Sequence, residues 1–213
     1  MNNSFFQTPY IIAEVGQAHD GSLGIAHSFI DAVADTRVNA IKFQTHYAEE
    51  ESSPEEPWRV KFSTQDNTRF EYWRRMEFTP MQWIEIGDHC RDRKLDFISS
   101  PFSIKAIEVL EKAGVDAYKI PSGEVNNILL LKAIAGTDKP VILSSGMSDF
   151  EEIDKAINVI NKSHNEIVLL QCTTQYPVQP ERIGFNVIQE MAKRYGCKVG
   201  LSDHSGEIFA ALA

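Results

Sequence analysis

Two lysines stand inside short apolar runs, Lys42 in Ala40-Ile-Lys-Phe-Gln-Thr45 and Lys119 in Ala117-Tyr-Lys-Ile-Pro-Ser-Gly-Glu124. A strand covered on both faces carries a charge only where that charge has a partner, so both lysines are expected to reach for an anion. Side chains alternate along a strand, which puts Lys42 and Gln44 on one side and Ile41 and Phe43 on the other. The same parity joins Ile12 with Glu14, Ile142 with Ser144 and Ser202 with His204. A carboxylate, two ammonium groups, several hydroxyls and an imidazole at strand ends suit a phosphorylated or carboxylated substrate, handled with a metal and an acid–base group. Taken singly, His204 reads more readily as a hydrogen-bonded core or surface histidine beside Asp203 than as a ligand, and Glu14 reads equally as the interior partner of a strand lysine.

Seven apolar runs that end in polar clusters must carry these groups: Ile11 to Gly16, Ala40 to Thr45, Phe97 to Phe102, Ala117 to Glu124, Val141 to Gly146, Ile167 to Thr174 and Val199 to His204. Between them the hydrophobic period changes from 2 to about 3.6, the mark of covering helices. Leu23, Ala26, Ile30 and Val33 form one stripe after a Ser22 cap. Thr79-Pro-Met-Gln82 reads as a capping box with proline at the first helical position, opening a helix through Cys90, and Ser148-Asp-Phe-Glu151 reads the same way. Further helices are expected over Ser103 to Lys112, Asn127 to Ala135 and Ile183 to Tyr195, with Ser103, Ser148 and Asn127 as caps. Such alternation excludes a sandwich or a bundle and leaves a barrel or a doubly wound open sheet. An open sheet gathers its ligand groups at one switch point, whereas here nearly every strand ends in them, so the expected fold is an α/β TIM-type (β/α)8 barrel.

Residues 46–78 are too long for a usual strand-to-helix connection. An acidic run (Glu49, Glu50, Glu51, Glu55, Glu56), expected to be solvated, precedes a basic-aromatic part containing Trp58, Arg59, Lys61, Arg69, Tyr72, Trp73, Arg74 and Arg75. A long loop at the catalytic face acts as a cover or a partner contact. His27, His89 and His164 are expected at the surface. The last residues, Gly206 to Ala213, read as a helix barely begun, so the barrel is expected to be truncated after its seventh strand and the whole of 1–213 to form one incomplete barrel domain.

With 43% hydrophobic and 24% charged residues, the 213-residue chain has the composition of a globular domain. Its formal charge of −9 excludes nucleic acid as the main partner, so any anionic ligand needs a local basic pocket. Three cysteines without metal-ligand spacing, Cys90, Cys172 and Cys197, fit a reducing compartment. No stretch approaches the roughly 18 apolar residues of a membrane span and no basic start precedes an apolar run, which leads to a cytoplasmic expectation.

Seven motifs occur in a telling order: Ile-Ala-Glu-Val-Gly16 followed by His19-Asp-Gly21, Ile-Lys-Phe-Gln-Thr45, Ile-Ser-Ser-Pro-Phe102, Tyr-Lys-Ile-Pro-Ser-Gly-Glu-Val-Asn-Asn127, Leu-Ser-Ser-Gly-Met147, Gln-Cys-Thr-Thr-Gln-Tyr-Pro177 and Gly-Leu-Ser-Asp-His204. From about residue 9 onward the chain resembles the N-acetylneuraminate (sialic acid) synthase family. That resemblance implies condensation of phosphoenolpyruvate with an N-acetylated hexosamine such as N-acetylmannosamine, giving a nine-carbon 2-keto sugar acid and phosphate. It also implies a divalent metal, Mn2+ or Mg2+, that polarises the sugar aldehyde, a homodimer at full length, and a C-terminal antifreeze-like domain outside these residues.

Carried over residue by residue, the resemblance assigns phosphoenolpyruvate to Lys42, Ser100, Lys119, Ser122, Ser144, Tyr176 and Ser202. It puts Glu14, Glu124 and Gln44 near the reacting centre and the sugar, and makes His204 a metal ligand, the family's second metal histidine falling on an eighth strand. Three positions depart from the family pattern: Ala18 stands where an Asn is frequent, Thr174 where some members have Asn, and Gln171 where many have His. Two other readings remain. A related 3-deoxy-ulosonic acid synthase would take a phosphorylated aldose and need an arginine cluster that the strands lack, and an inactive barrel fragment would turn over nothing.

Overall fold

The computed structural model describes residues 4–7, 9–58, 60–163 and 165–213. Arg59 of the insertion and His164 lie outside the described residues. The chain forms two compact units, Met1–Ala117 and Tyr118–Ala213.

In the first unit, β1 (Ile12–Gly16), β2 (Ala40–Thr45) and β3 (Asp96–Pro101) are parallel neighbours in that order. The register sets Glu14 opposite Lys42 and Gln44 opposite Ser100. Helices α1 (Leu23–Ala34), α2 (Ala48–Glu51), α3 (Arg69–Met76), α4 (Pro80–Asp92) and α5 (Ile104–Ala113) complete the unit. The caps follow the local rules. Ser22 Oγ accepts from Ile25 N and Ser103 Oγ from Ala106 N, while Thr79 and Gln82 form a reciprocal capping box with Pro80 at the first helical position. The alternation expected of β2 is realised, with Ile41 and Phe43 fully buried and Phe43 lying 6.2 Å from the rings of both Trp83 and Phe97. Each such aromatic contributes about 1.5–3 kcal/mol by burial, enough to fix which face of β2 turns inward.

In the second unit, β4 (Ala117–Ile120), β5 (Val141–Ser144), β6 (Ile167–Cys172) and β7 (Lys198–Ser202) are again parallel in chain order. Here Lys119 pairs in register with Ile142, Ser144 with Leu170 and Cys172 with Ser202. The helices are α6 (Ile128–Ala135), α7 (Phe150–Ile160), α8 (Phe185–Tyr195) and α9 (Phe209–Leu212). Asn127 caps α6 as expected, its Oδ1 accepting from Leu130 N. The cap of α7 lies one residue later than the sequence suggested: Ser148 N closes a turn on Ser145 O, and Asp149 forms the capping box with Glu152. Helix α8 begins at Phe185 rather than Ile183, because Gly184 takes a left-handed φ of 81° that no helix continues through.

The acidic run is solvated only in part: Glu49, Glu50 and Glu55 are exposed, while Glu51 and Glu56 are half-buried. Glu49 pairs with Arg74 at 2.7 Å, Glu56 pairs with Arg69, and Glu51 lies 2.7 Å from His46, so the acidic half of the insertion folds onto its basic-aromatic half. The Glu49–Arg74 pair is more than half exposed at both ends and adds little energy by itself. His27 and His89 differ from expectation too. They are half-buried, with Nδ1 atoms 2.8 Å apart, and His89 Nε2 lies 3.1 Å from Asp31. No helix of the described residues is long and apolar enough to cross a membrane.

Candidate active site

The first unit gathers four of the expected site residues at the ends of its strands. Glu14, half-exposed, forms an ion pair with Lys42, which is only 5% exposed. Lys42 Nζ lies 3.5 Å from Ser100 Oγ, and Gln17 Nε2 lies 3.5 Å from Gln44 Oε1. The reading of Glu14 as partner of a strand lysine therefore holds, but its carboxylate is open to solvent rather than interior. Gly16 suits this point by its backbone conformation rather than by its lack of a side chain. It sits at a register shift with φ 55°, and a Cβ there would lie 3.4 Å from Glu14 Oε1 and 3.7 Å from Gln44 Nε2.

After β1 the chain turns through His19, whose Nδ1 accepts from Gly21 N at 3.1 Å, so the ring is held with its hydrogen on Nε2. His19 is fully buried beside Phe78, at 4.7 Å between rings, and burial pushes its pKa down to about 4 against the raising effect of Asp20. The unfolded chain, with an ordinary value near 6.5, binds this proton more readily. Stability from this group is therefore complete above about pH 6.5 and is lost as pH falls toward 4. Between pH 8 and pH 5 the loss is expected to be about 2 kcal/mol. Thermal melts of wild type and His19→Asn at both pH values check this: the wild type should lose more stability on acidification than the variant, and parallel losses would contradict the assignment.

Arg75, at the end of α3, ties the insertion to this turn. Its Nε and Nη2 donate to Asp66 at 2.9 and 2.7 Å, and Nη1 donates to Asp20 Oδ1 at 2.5 Å. The Arg75 hydrogen bonds hold the Asp66 carboxyl below its usual range despite burial.

The second unit gathers another set. Ser144 Oγ is fully buried with no hydrogen-bond partner among the described residues. Ser122 Oγ accepts from Gly146 N at 3.0 Å and donates to Cys172 Sγ at 3.5 Å. Burial would raise the Cys172 thiol, but hydrogen bonds with His204 and Ser122 and the charges of His204 and Lys119 outweigh it and bring it to about 7. The hydrogen bond with Cys172 raises the His204 pKa against the effect of burial, aided by the Thr173 carbonyl. His204 Nδ1 lies 3.0 Å from Thr173 O and Nε2 3.2 Å from the Tyr176 hydroxyl, whose ring stacks on it at 4.2 Å. Glu124 accepts from Asn127 Nδ2 at 2.8 Å, so it braces the start of α6. Ser202 ends β7.

Two of the three departures from the family pattern, Gln171 and Thr174, have structural roles. Gln171 Nε2 donates to Ile183 O at 3.1 Å, and Thr174 Oγ1 donates to Gly146 O at 3.3 Å. With Nδ1–H donated to the Thr173 carbonyl, His204 would present Nε2 to a cation, the arrangement of metal-ligating histidines. A metal centre needs further ligands, and among the described residues no group of three His, Cys, Asp or Glu forms one. The residues described therefore do not fit a self-standing metal site.

Sequence reading gave no site role to Cys172, His46 or Gln17, and placed Arg75 only in the basic-aromatic part of the insertion. The position of Cys172 in a polar strand end, and of His46 two residues after Gln44, were the available signals.

A family model described as "NeuB family" matches residues 29–213. The N,N'-diacetyllegionaminic acid synthase of Campylobacter jejuni is 32% identical over 95% of this chain and 63% of its own length. The pseudaminic acid synthase of Helicobacter pylori is 32% identical over 97% of this chain and 62% of its own length. The solved N-acetylneuraminic acid (sialic acid) synthetase of Leptospira borgpetersenii, in complex with citrate, superimposes with a TM-score of 0.81 at 30% identity, over 93% of this chain and 66% of that one. The chain thus spans less than two thirds of the length of the curated relatives.

Proposed function

Because the chain belongs to the NeuB family, we propose that it forms most of the TIM-type barrel of a sialic-acid-type synthase. The reaction proposed joins phosphoenolpyruvate to an N-acetylated amino sugar. C3 of the enol attacks the sugar aldehyde carbon, water adds at C2, and phosphate leaves to give a 2-keto sugar acid. The observation that carries the reading is Lys42, a nearly buried ammonium in a parallel strand with Ser100 Oγ beside it. Such a charge suits the carboxylate or phosphate of phosphoenolpyruvate, and the unpartnered Ser144 hydroxyl suits an anionic oxygen. Lys119, Ser122, Tyr176 and Ser202 are proposed contacts of the same substrate. Glu14, with Gln44 and Glu124, is proposed to act at the sugar aldehyde and the attacking water.

The direct test is phosphate release by the full-length gene product from phosphoenolpyruvate with N-acetylmannosamine, with legionaminic-type and pseudaminic-type acceptors, and with phosphorylated aldoses. Turnover with an unphosphorylated N-acetylated sugar is expected, and turnover only with a phosphorylated aldose would overturn the reading. A charge-assisted contact in such a site contributes about 1.5–3 kcal/mol, so Lys42→Ala and Lys119→Ala should each weaken phosphoenolpyruvate binding roughly ten- to a hundred-fold. Calorimetry checks this, and unchanged affinity in both variants would remove the lysines from the site.

A further inference from the structure

His46 follows β2, is 3% exposed, and has no role in the reaction proposed above. Its ring is stacked between the indole of Trp73, at 3.9 Å and 17°, and the ring of Phe102, at 4.0 Å and 18°. Two parallel neighbours fix the plane of the imidazole. Glu51 Oε2 lies 2.7 Å from Nδ1, and Glu51 is itself held by Tyr47 N, which donates to Oε1 at 2.8 Å. With both faces and one nitrogen fixed, the ring cannot turn, and its remaining nitrogen is a stationary point. That atom, Nε2, lies 3.3 Å from Gln44 Oε1.

Gln44 Oε1 lies within reach of a second donor, Gln17 Nε2, at 3.5 Å. An amide whose oxygen takes two donors must turn its NH2 the other way, and Gln44 Nε2 faces the side on which Gly16 and Glu14 stand. A carboxylate can only accept, so the Glu51 contact takes the hydrogen of Nδ1 and leaves Nε2 as the atom that meets the Gln44 amide.

We propose that His46 is a positioning residue that fixes Gln44 as a hydrogen-bond donor toward the acceptor sugar, so that the sugar must present an oxygen, hydroxyl or acyl carbonyl, at that point. The part of this that concerns the sugar rests on the reading under Proposed function; the clamp on Gln44 does not. His46→Phe keeps an aromatic ring between Trp73 and Phe102 while removing the donor, and Glu51→Gln keeps the shape while removing the carboxylate.

Nitrogen-15 NMR of the wild-type protein and of His46→Phe reads the clamp through the Gln44 side-chain amide. The Gln44 side-chain amide resonances should shift and exchange faster with solvent in His46→Phe. In steady-state assays with phosphoenolpyruvate and N-acetylmannosamine, His46→Phe should raise KM for the sugar by roughly three- to ten-fold and leave KM for phosphoenolpyruvate unchanged, with Glu51→Gln showing a smaller effect in the same direction. Gln44 amide resonances indifferent to His46→Phe would overturn the clamp. An equal rise in both KM values would overturn the assignment to the sugar. Absence of turnover by the wild type would instead count against the proposed reaction, and the NMR result would still decide the clamp.

Discussion

Glu14→Gln is expected to lower kcat of the full-length protein by about 10²- to 10⁴-fold, the range of a lost general acid–base group, while phosphoenolpyruvate binding changes little. Glu14 sits in register with Lys42 across two parallel strands and pairs with it, so a purely structural role predicts a different outcome: a lower Tm and a kcat within a few-fold. The kcat separates the two, because either role costs stability. The Glu14 carboxylate is 47% exposed, which screens its attraction to Lys42, but removing its charge leaves a Lys42 side chain that is only 7% exposed. Lys42 also keeps Ser100 Oγ within 3.5 Å after the change. The loss of stability should therefore be about 1–3 kcal/mol, which lowers Tm by roughly 2–10 °C in a chain of this size. Measuring Tm and kcat on the same preparation is decisive, since an enzyme that is destabilised yet active would take Glu14 off the list of catalytic residues.

The second large effect is structural. Gly21 has φ 76°, and a Cβ there would lie 2.1 Å from the backbone oxygen of Arg75. Gly21→Ala adds the strain of a left-handed alanine to a collision with a carbonyl that cannot rotate away, together about 2–5 kcal/mol. Tm should fall by roughly 5–15 °C. The collision is with the end of α3, whose Arg75 also bonds Asp20 and Asp66, so the insertion should loosen from the turn after β1. Proteolysis near the exposed Val60 and Phe62 would then quicken. An alanine variant that melts and resists protease like the wild type would show that this close approach does not hold the insertion in place.

Much of the architecture was legible in residue order. Ser22, Thr79 with Gln82, Ser103 and Asn127 cap helices where their types and spacing suggested, because a cap bonds backbone groups only two or three positions away. Alternation placed Lys42 and Gln44 together for the same reason, since the side-chain period of a strand is a local property. The α7 cap shifted by one residue because a turn from Ser148 to Ser145 competed for the same stretch, and adjacent Ser and Asp are nearly interchangeable as caps.

The partners of the site residues were a matter for the tertiary structure. That Glu14 meets Lys42 depends on the register between β1 and β2, and that Glu51 reaches His46 depends on how the insertion folds back beside β2. The acidic residues looked solvated because a run of like charges, read locally, has only water to meet; Arg69 and Arg74, which answer Glu56 and Glu49, stand 13 and 25 residues further on. Cys172 was unremarkable as a free thiol until β6 and β7 brought His204 beside it. Period and capping act over one turn or one pleat, and so can be read from neighbours. Ion pairs, stacked rings and shifted pKa values arise between groups that only long-range packing brings within a few ångströms.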